Sequence, residues 1–345
     1  MPADENKSTR ATIHDVAREA GVSIGTVSRV INGHGRTGAA TRERVQGAVE
    51  RLGYRVNTVA QSMRRQATRT VALLVHDIGN PVFATAARAA QSVLEEAGYM
   101  LVLASSDAAG SEAASIRLLG QRRMDGIIGF PRSENDPATI AALREFDGAL
   151  VLFDRTMDVQ ADMVLTDHAG GVSRATTLLL DLGHRWIALV GGAANLYPGR
   201  ERIRGFLSAF RAYGLEPPPC SFVRADGLDS DYAFRETSNL LFGSPRPTAM
   251  IAGGNQSLEG VINAIKAAQL TVPDEISLVS FDDSAVARTS VPPITVVVRD
   301  VPQMGRMGAK ILLERLRLGR NHPLQKIVLP TQVALRESCA RPQAR

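Results

Sequence analysis

Residues Thr12 to Met63 read TIHDVAREAGVSIGTVSRVINGHGRTGAATRERVQGAVERLGYRVNTVAQSM. Thr12 and Asp15 form a Thr-x-x-Asp pattern, an acidic variant of the capping box, ahead of Val16, Ala17 and Ala20. Gly21 stops that helix. Ser23 starts a second, in which Thr26, Val27, Val30 and Ile31 recur at helical spacing. A tight glycine-containing turn between two amphipathic helices is a helix-turn-helix signature. A third helix is expected from about Thr41 to Leu52, with Val45, Ala48, Val49 and Leu52 inward. Three such helices share one small core, and the outer face of the second can enter a DNA major groove.

The charge distribution points the same way. Residues 1–69 carry twelve Lys+Arg and six Asp+Glu, a net of +6, whereas the remainder carries 28 basic and 29 acidic residues, a net of −1. A basic excess confined to one module is the electrostatic footprint of a nucleic-acid binder. The chain of 345 residues, 44% hydrophobic, is long enough for two or three domains with their own cores. No 18-residue apolar run suggests a membrane span, and residues 1–10 lack a signal-peptide core, so a cytoplasmic, nucleoid-associated protein is expected. Cys220 and Cys339 have neither metal-ligand spacing nor the look of a disulfide framework.

From Thr70 the pattern becomes alternating strands and helices. Apolar runs at 71–75, 100–104, 126–130, 149–153, 187–190, 249–252 and 277–281 predict buried strands. Helical patterns intervene at about 83–97, 112–123, 137–145, 170–182, 201–213, 229–242 and 257–268. Such alternation predicts an α/β protein with parallel sheets, and the strands are too many for one compact sheet. Two doubly wound lobes behind an all-α headpiece are the natural arrangement. Ligands of open α/β sheets bind beyond the carboxyl ends of the strands. There the sequence delivers His76 and Asp77 with Asn80 and Phe83, then Ser105 to Asp107, Asp154 and Arg155, Asn255, and Asp282 and Asp283. Carboxylates, an amide and an arginine with few aromatics suit a polyhydroxylated ligand or a small acid. An aspartate after a strand is equally suited to capping the next helix.

The segments TIxDVAxxAGVSxxTVSRVIN, TRERV, LGY and NxVAQSM closely resemble the N-terminal module of the lactose-repressor (LacI/GalR) family. The likeness is dense over residues 11–65 and continues more weakly to about 338. Residues 1–10 read as a polar, disordered tail; the likeness implies a headpiece at 11–56, a hinge helix and linker at 57–69, and an effector and dimerisation domain at 70–340. The last would have a periplasmic-binding-protein-like architecture. Its N-lobe would comprise about 70–166 and 299–325, its C-lobe about 167–298 and 326–340, with crossings near 166, 298 and 325. The resemblance assigns base contacts to Ile24, Gly25 and Arg29 and phosphate contacts to Thr12, Ser23, Thr26, Asn32 and Tyr54. It also implies a hinge helix with Asn57, Val59, Ala60 and Met63 at the DNA, Met63 as the minor-groove wedge where the family usually has Leu. Effector contacts would come from Asp77, Phe83, Asp154, Arg202, Asn255 and Asp282. Gln256 stands where the family usually has Asp, Val82 where an aromatic is frequent, and Val56 where Pro is common.

The expected protein is therefore a transcriptional repressor, a homodimer or tetramer on a near-palindromic operator, controlled by a sugar or sugar derivative. The alternative signal is a corepressor or protein partner. An enzyme is not expected: GxxxxGK[ST] and HExxH are absent, the strand-following pairs Gly191-Gly192 and Gly253-Gly254 do not give GxGxxG, and neither a cofactor nor a metal is implied. The alternative of another class is a sugar-processing α/β enzyme with an appended DNA-binding module.

Overall fold

The computed structural model describes residues 11–31, 37–54, 67–106 and 110–343. The expected hinge helix, the tail at 1–10, and Asn32, Asn57, Val59, Ala60, Met63 and Asp107 lie outside the described residues. The chain divides into two compact units, 1–68 and 69–345.

In the first unit α1 spans Ile13–Ala20, α2 Ile24–Ile31 and α3 Ala39–Arg51. Both halves of the capping box are present: the Thr12 amide donates to Asp15 Oδ2 at 2.9 Å and the Asp15 amide to Thr12 Oγ1 at 3.4 Å. Gly21 closes α1 at φ 62°, a left-handed conformation that a Cβ would strain. The Thr26 amide donates to Ser23 Oγ at 3.2 Å, which starts α2. Val16, Val27, Val45 and Ala48 are fully buried, and Val49, Leu52 and Tyr54 pack against them. The third helix begins two residues before the expected Thr41, with Gly38 as its N-cap.

The second unit holds two six-stranded sheets. In the N-lobe, β1 (Thr70–Val75), β2 (Met100–Ser105), β3 (Gly126–Gly129), β4 (Ala149–Phe153), β5 (Asp162–Thr166) and β11 (Lys326–Leu329) take the order β11-β5-β4-β3-β1-β2. In the C-lobe, β6 (Ile187–Val190), β7 (Val223–Arg224), β8 (Ala249–Ala252), β9 (Ser277–Phe281), β10 (Thr295–Arg299) and β12 (Thr331–Ala334) take the order β12-β10-β9-β8-β6-β7. The pairs are parallel except for β10 with β12. The connecting helices are α4 (Pro81–Glu96), α5 (Ser111–Gln121), α6 (Pro137–Glu145), α7 (His168–Asp181), α8 (Tyr197–Ala212), α9 (Ser230–Leu241), α10 (Asn255–Ala267) and the short α11 (Ala285–Thr289). α12 (Val301–Leu318) follows β10 but packs on α4 in the N-lobe.

The chain crosses between lobes at Asp167, at Asp300 and at Pro330. The third crossing corrects the expected position near 325. Residues 326–329 pair in parallel with β5 and so belong to the N-lobe rather than the C-lobe. Pro330, which has no amide hydrogen, ends that ladder before the chain joins the other sheet. A second difference is α12, which the apolar periodicity did not signal. It brings Met304, Ile311 and Leu312 into the N-lobe core. At Gly308 a Cβ would collide with the Phe153 ring, so glycine permits the close approach of helix and strand there.

One buried ion pair fixes the far end of α12. Arg315 Nε and Nη2 reach Asp162 Oδ2 and Oδ1 at 3.0 and 2.7 Å, and the Gln325 amide adds a bond to Oδ1 at 2.8 Å. Removing one member leaves an uncompensated buried charge. Asp162→Ala should therefore destabilise the lobed unit by about 3–5 kcal/mol. Asp158→Ala, which breaks an exposed pair with Arg144, should cost at most ~1 kcal/mol. Thermal melts of the two variants check this ordering.

Candidate effector cleft and DNA-reading face

On α2 the side chains of Ser23 and Arg29 and the backbone at Gly25 are exposed. Arg29 lies back along its own helix, its Nε donating to the Gly25 carbonyl at 3.2 Å. Ile24 is half-buried and packs partly against the headpiece core, so only part of it faces outward. Thr12 is exposed, Thr26 half-buried, and Tyr54 half-buried on the same core. Gly25 has open space where a Cβ would stand, the nearest atom being Ser23 Oγ at 3.8 Å. Among the described residues, no headpiece atom requires a glycine at that position.

In the lobed unit, Phe83, Asp154, Arg202, Asn255 and Asp282 line one cleft between the lobes. Asp154 and Asp282 follow β4 and β9, each in the left-handed region, at φ 47° and 74°. Aspartate tolerates this conformation better than most residues. At the centre of the cleft is Arg299, the last residue of β10. Its Nε and Nη2 donate to Asp282 Oδ1 and Oδ2 at 2.6 and 3.2 Å, and its Nη1 reaches across to Asp154 Oδ2 at 2.5 Å. Asp154 Oδ1 also accepts the Thr166 amide at 2.7 Å, and His168 Nε2 lies 3.2 Å from Oδ2. Burial opposes charge at Asp154, but His168, Arg299 and Thr166 outweigh it and hold the carboxyl below the ordinary range. Arg299 is likewise opposed by burial, yet Asp282 and Asp154 raise it above an ordinary arginine.

Arg202 is 4% exposed and has a different environment. Its guanidinium lies 4.2 Å from the centroid of the Phe281 ring, and its Nη1 donates to the Gly253 carbonyl. Its buried Nε has no hydrogen-bond partner among the described residues. Burial pushes it down to about 10, with Asp282 opposing and Arg299 reinforcing the shift. The neighbouring Glu201 pairs with Arg204 instead.

Asp77 departs from expectation. It is not in the cleft lining; its Oδ2 accepts Gln256 Nε2 from the other lobe at 2.7 Å, and its Oδ1 accepts the Gly79 amide at 2.8 Å. With both oxygens so engaged, it ties the lobes at the rim. Asn255 Nδ2 reaches Asn80 Oδ1 at 3.4 Å, and Glu134 takes the Tyr197 amide at 2.8 Å and Arg200 Nη2 at 2.6 Å. Sequence reasoning missed Arg299, Glu134 and His168. Arg299 was within reach, because it follows the apolar run Ile294 to Val298 as the other cleft residues follow theirs. Asp107 lies outside the described residues.

His168 is fully buried, and burial pushes it down to about 4 although Asp154 opposes the shift. A histidine whose folded pKa lies below its unfolded value of 6.5 binds its proton more weakly when folded. Stability of the lobed unit should therefore fall as pH drops from about 6.5 to about 4, by up to ~3 kcal/mol from this group. His76 and His184, also lowered by burial, act in the same direction. In melts across this range, His168→Gln should show a shallower pH dependence than the unaltered protein.

The chain matches two family models: bacterial regulatory proteins of the lacI family over residues 12–57, and the periplasmic binding protein-like domain over 176–339. It is 30% identical to the ribose operon repressor of Escherichia coli (strain K12), with 89% of this chain and 93% of that one covered. Among solved structures, a transcriptional regulator CelR–cellobiose complex is 31% identical with a TM-score of 0.74, covering 95% of this chain and 100% of that one. The lac repressor dimer bound to operator and the anti-inducer ONPF is 26% identical with a TM-score of 0.84, at 96% and 100% coverage. The headpiece, the paired lobes and these full-length similarities lead to one conclusion: the chain belongs to the lacI family of bacterial regulatory proteins.

Proposed function

We propose that this DNA-binding transcriptional regulator is a repressor whose grip on a near-palindromic operator is set by a small polar effector held between its lobes. The observation that carries this reading is the cleft. It is lined by charged and amide side chains from both lobes, and ties between the lobes run through Arg299, Gln256 and Asn255 beside the Glu134 contacts. A ligand that bonds to these groups must compete with the cross-lobe contacts, so binding and lobe geometry share one set of interactions. Relatives support the ligand class: one is named for the ribose operon, and another was solved with cellobiose. The direct test is operator binding by the full chain titrated with candidate sugars and their derivatives. A regulator of this kind changes its operator affinity with at least one. If operator affinity is indifferent to small molecules and changes only with a protein fraction, the signal is a partner instead.

On the DNA side, helix α2 reads the major groove, and Arg29 leaves the Gly25 carbonyl to reach a base edge, guanine being its commonest partner. Arg29→Ala should cost about 1–3 kcal/mol per half-site contact and relax preference at one operator position. A selection from randomised operators measures this, and an unchanged preference would count against the assignment. Gly25→Ala separates fold from function. An alanine is free of clashes in the headpiece and raises helix propensity by about 1 kcal/mol, so the headpiece should melt no lower. Operator affinity should nevertheless fall, because the added methyl stands where the DNA must come close.

A further inference from the structure

We infer that the effector is an acid: a polyhydroxylated ligand whose carboxylate is received by Arg202. This rests on the reading of the cleft as an effector site and names the chemistry of that effector. The argument is a balance of donors, acceptors and charge. The two cleft carboxylates are already engaged by Arg299. Asp154 accepts from the Thr166 amide and from Arg299, and both Asp282 oxygens accept from Arg299. Part of their capacity to accept from the hydroxyl hydrogens of a neutral sugar is therefore already used. The donors are in the opposite condition. Arg202 is buried, has no carboxylate within ion-pair distance among the described residues, and keeps an unpartnered Nε in the wall of the cleft.

Formal charge agrees with this. The lining holds Arg155, Arg202 and Arg299 against Asp154 and Asp282, one positive charge in excess. His76 adds none, since burial and the nearby Arg155 favour its neutral form. Arg155 is committed to backbone, donating to the Pro131 carbonyl and, at 2.9 Å, to the Asp154 carbonyl. Arg202 likewise bonds a backbone carbonyl, that of Gly253, but of the three lining arginines it is the one whose buried Nε has no partner among the described residues. A buried guanidinium without a counter-ion is costly, and a carboxylate gives it charge-assisted, bidentate bonds. A larger cavity of about 520 Å³ at the opposite ends of the N-lobe strands offers no such group. Its Arg144 and Arg315 are paired with Asp158 and Asp162.

The test is calorimetry on the full chain with D-glucuronate, D-galacturonate and D-gluconate, each against its neutral parent sugar, and with glucuronate against glucuronamide. The amide removes the charge and little else. At least one acid should bind at least tenfold more tightly than its neutral counterpart, and that advantage should shrink as salt is raised. Arg202→Gln should lose the preference for acid over amide. A neutral sugar or the amide that binds as tightly as its acid overturns the inference while leaving an effector site in place. If none of these compounds binds, the inference also fails; if in addition no sugar or derivative alters operator affinity, the effector reading fails with it.

Discussion

Arg299 holds two aspartates that come from different lobes, and the geometry of the cleft depends on that one guanidinium. Asp154 and Asp282 each end a central strand in a left-handed turn, which directs both carboxylates into the same space. Two buried carboxylates facing each other would repel, and desolvation would favour protonating one of them. A planar cation between them removes the conflict. Its fork is bidentate to Asp282 within its own lobe, and its remaining nitrogen reaches Asp154 across the divide. The same arrangement engages both carboxylates of the cleft and leaves Arg202 without one at ion-pair distance among the described residues. Stability, lobe closure and ligand preference therefore rest on connected groups.

The headpiece is built on a different principle. Its core is small, so local signals carry more of its definition: the Thr12–Asp15 box, the left-handed Gly21 and the Ser23 cap set the ends of the first two helices. With those ends fixed, the outward face of α2 has little freedom, and Ser23, Gly25 and Arg29 are presented together. The lobes gain their definition from long-range parallel pairing and from α12. That helix leaves the C-lobe sheet at Asp300 and docks in the N-lobe against α4, with Gly308 under the Phe153 ring next to Asp154.

Much of this was legible in the sequence. Each of the seven apolar runs became a strand, and the strand-end rule brought Phe83, Asp154, Asn255 and Asp282 to one cleft. What escaped has physical causes. α12 carries glycines at 305 and 308, which weaken its intrinsic helicity, so its contacts with α4 are needed to define it. β7 is only two residues long, and β11 is an edge strand with exposed Lys326 and Val328, too polar or too short to register as an apolar run. Arg299 pairs with Asp154 over 145 residues of chain, and Gln256 removes Asp77 from the cleft over 179. Such partnerships depend on how the two lobes close, which local patterns do not encode. The hinge residues Asn57 to Met63 lie outside the described residues, so their reading rests on the resemblance alone.

The claim that Arg299 is the tie between the lobes is tested most directly by a double-mutant cycle on the stability of the lobed unit, using Asp154→Asn, Arg299→Gln and the pair. If the cation joins the two carboxylates as described, the single changes should each remove the same cross-lobe interaction. The double variant should then be less destabilised than their sum, with a coupling energy of about 1–3 kcal/mol. Strict additivity, within ~0.5 kcal/mol, would show that the two groups do not depend on each other and would contradict the account.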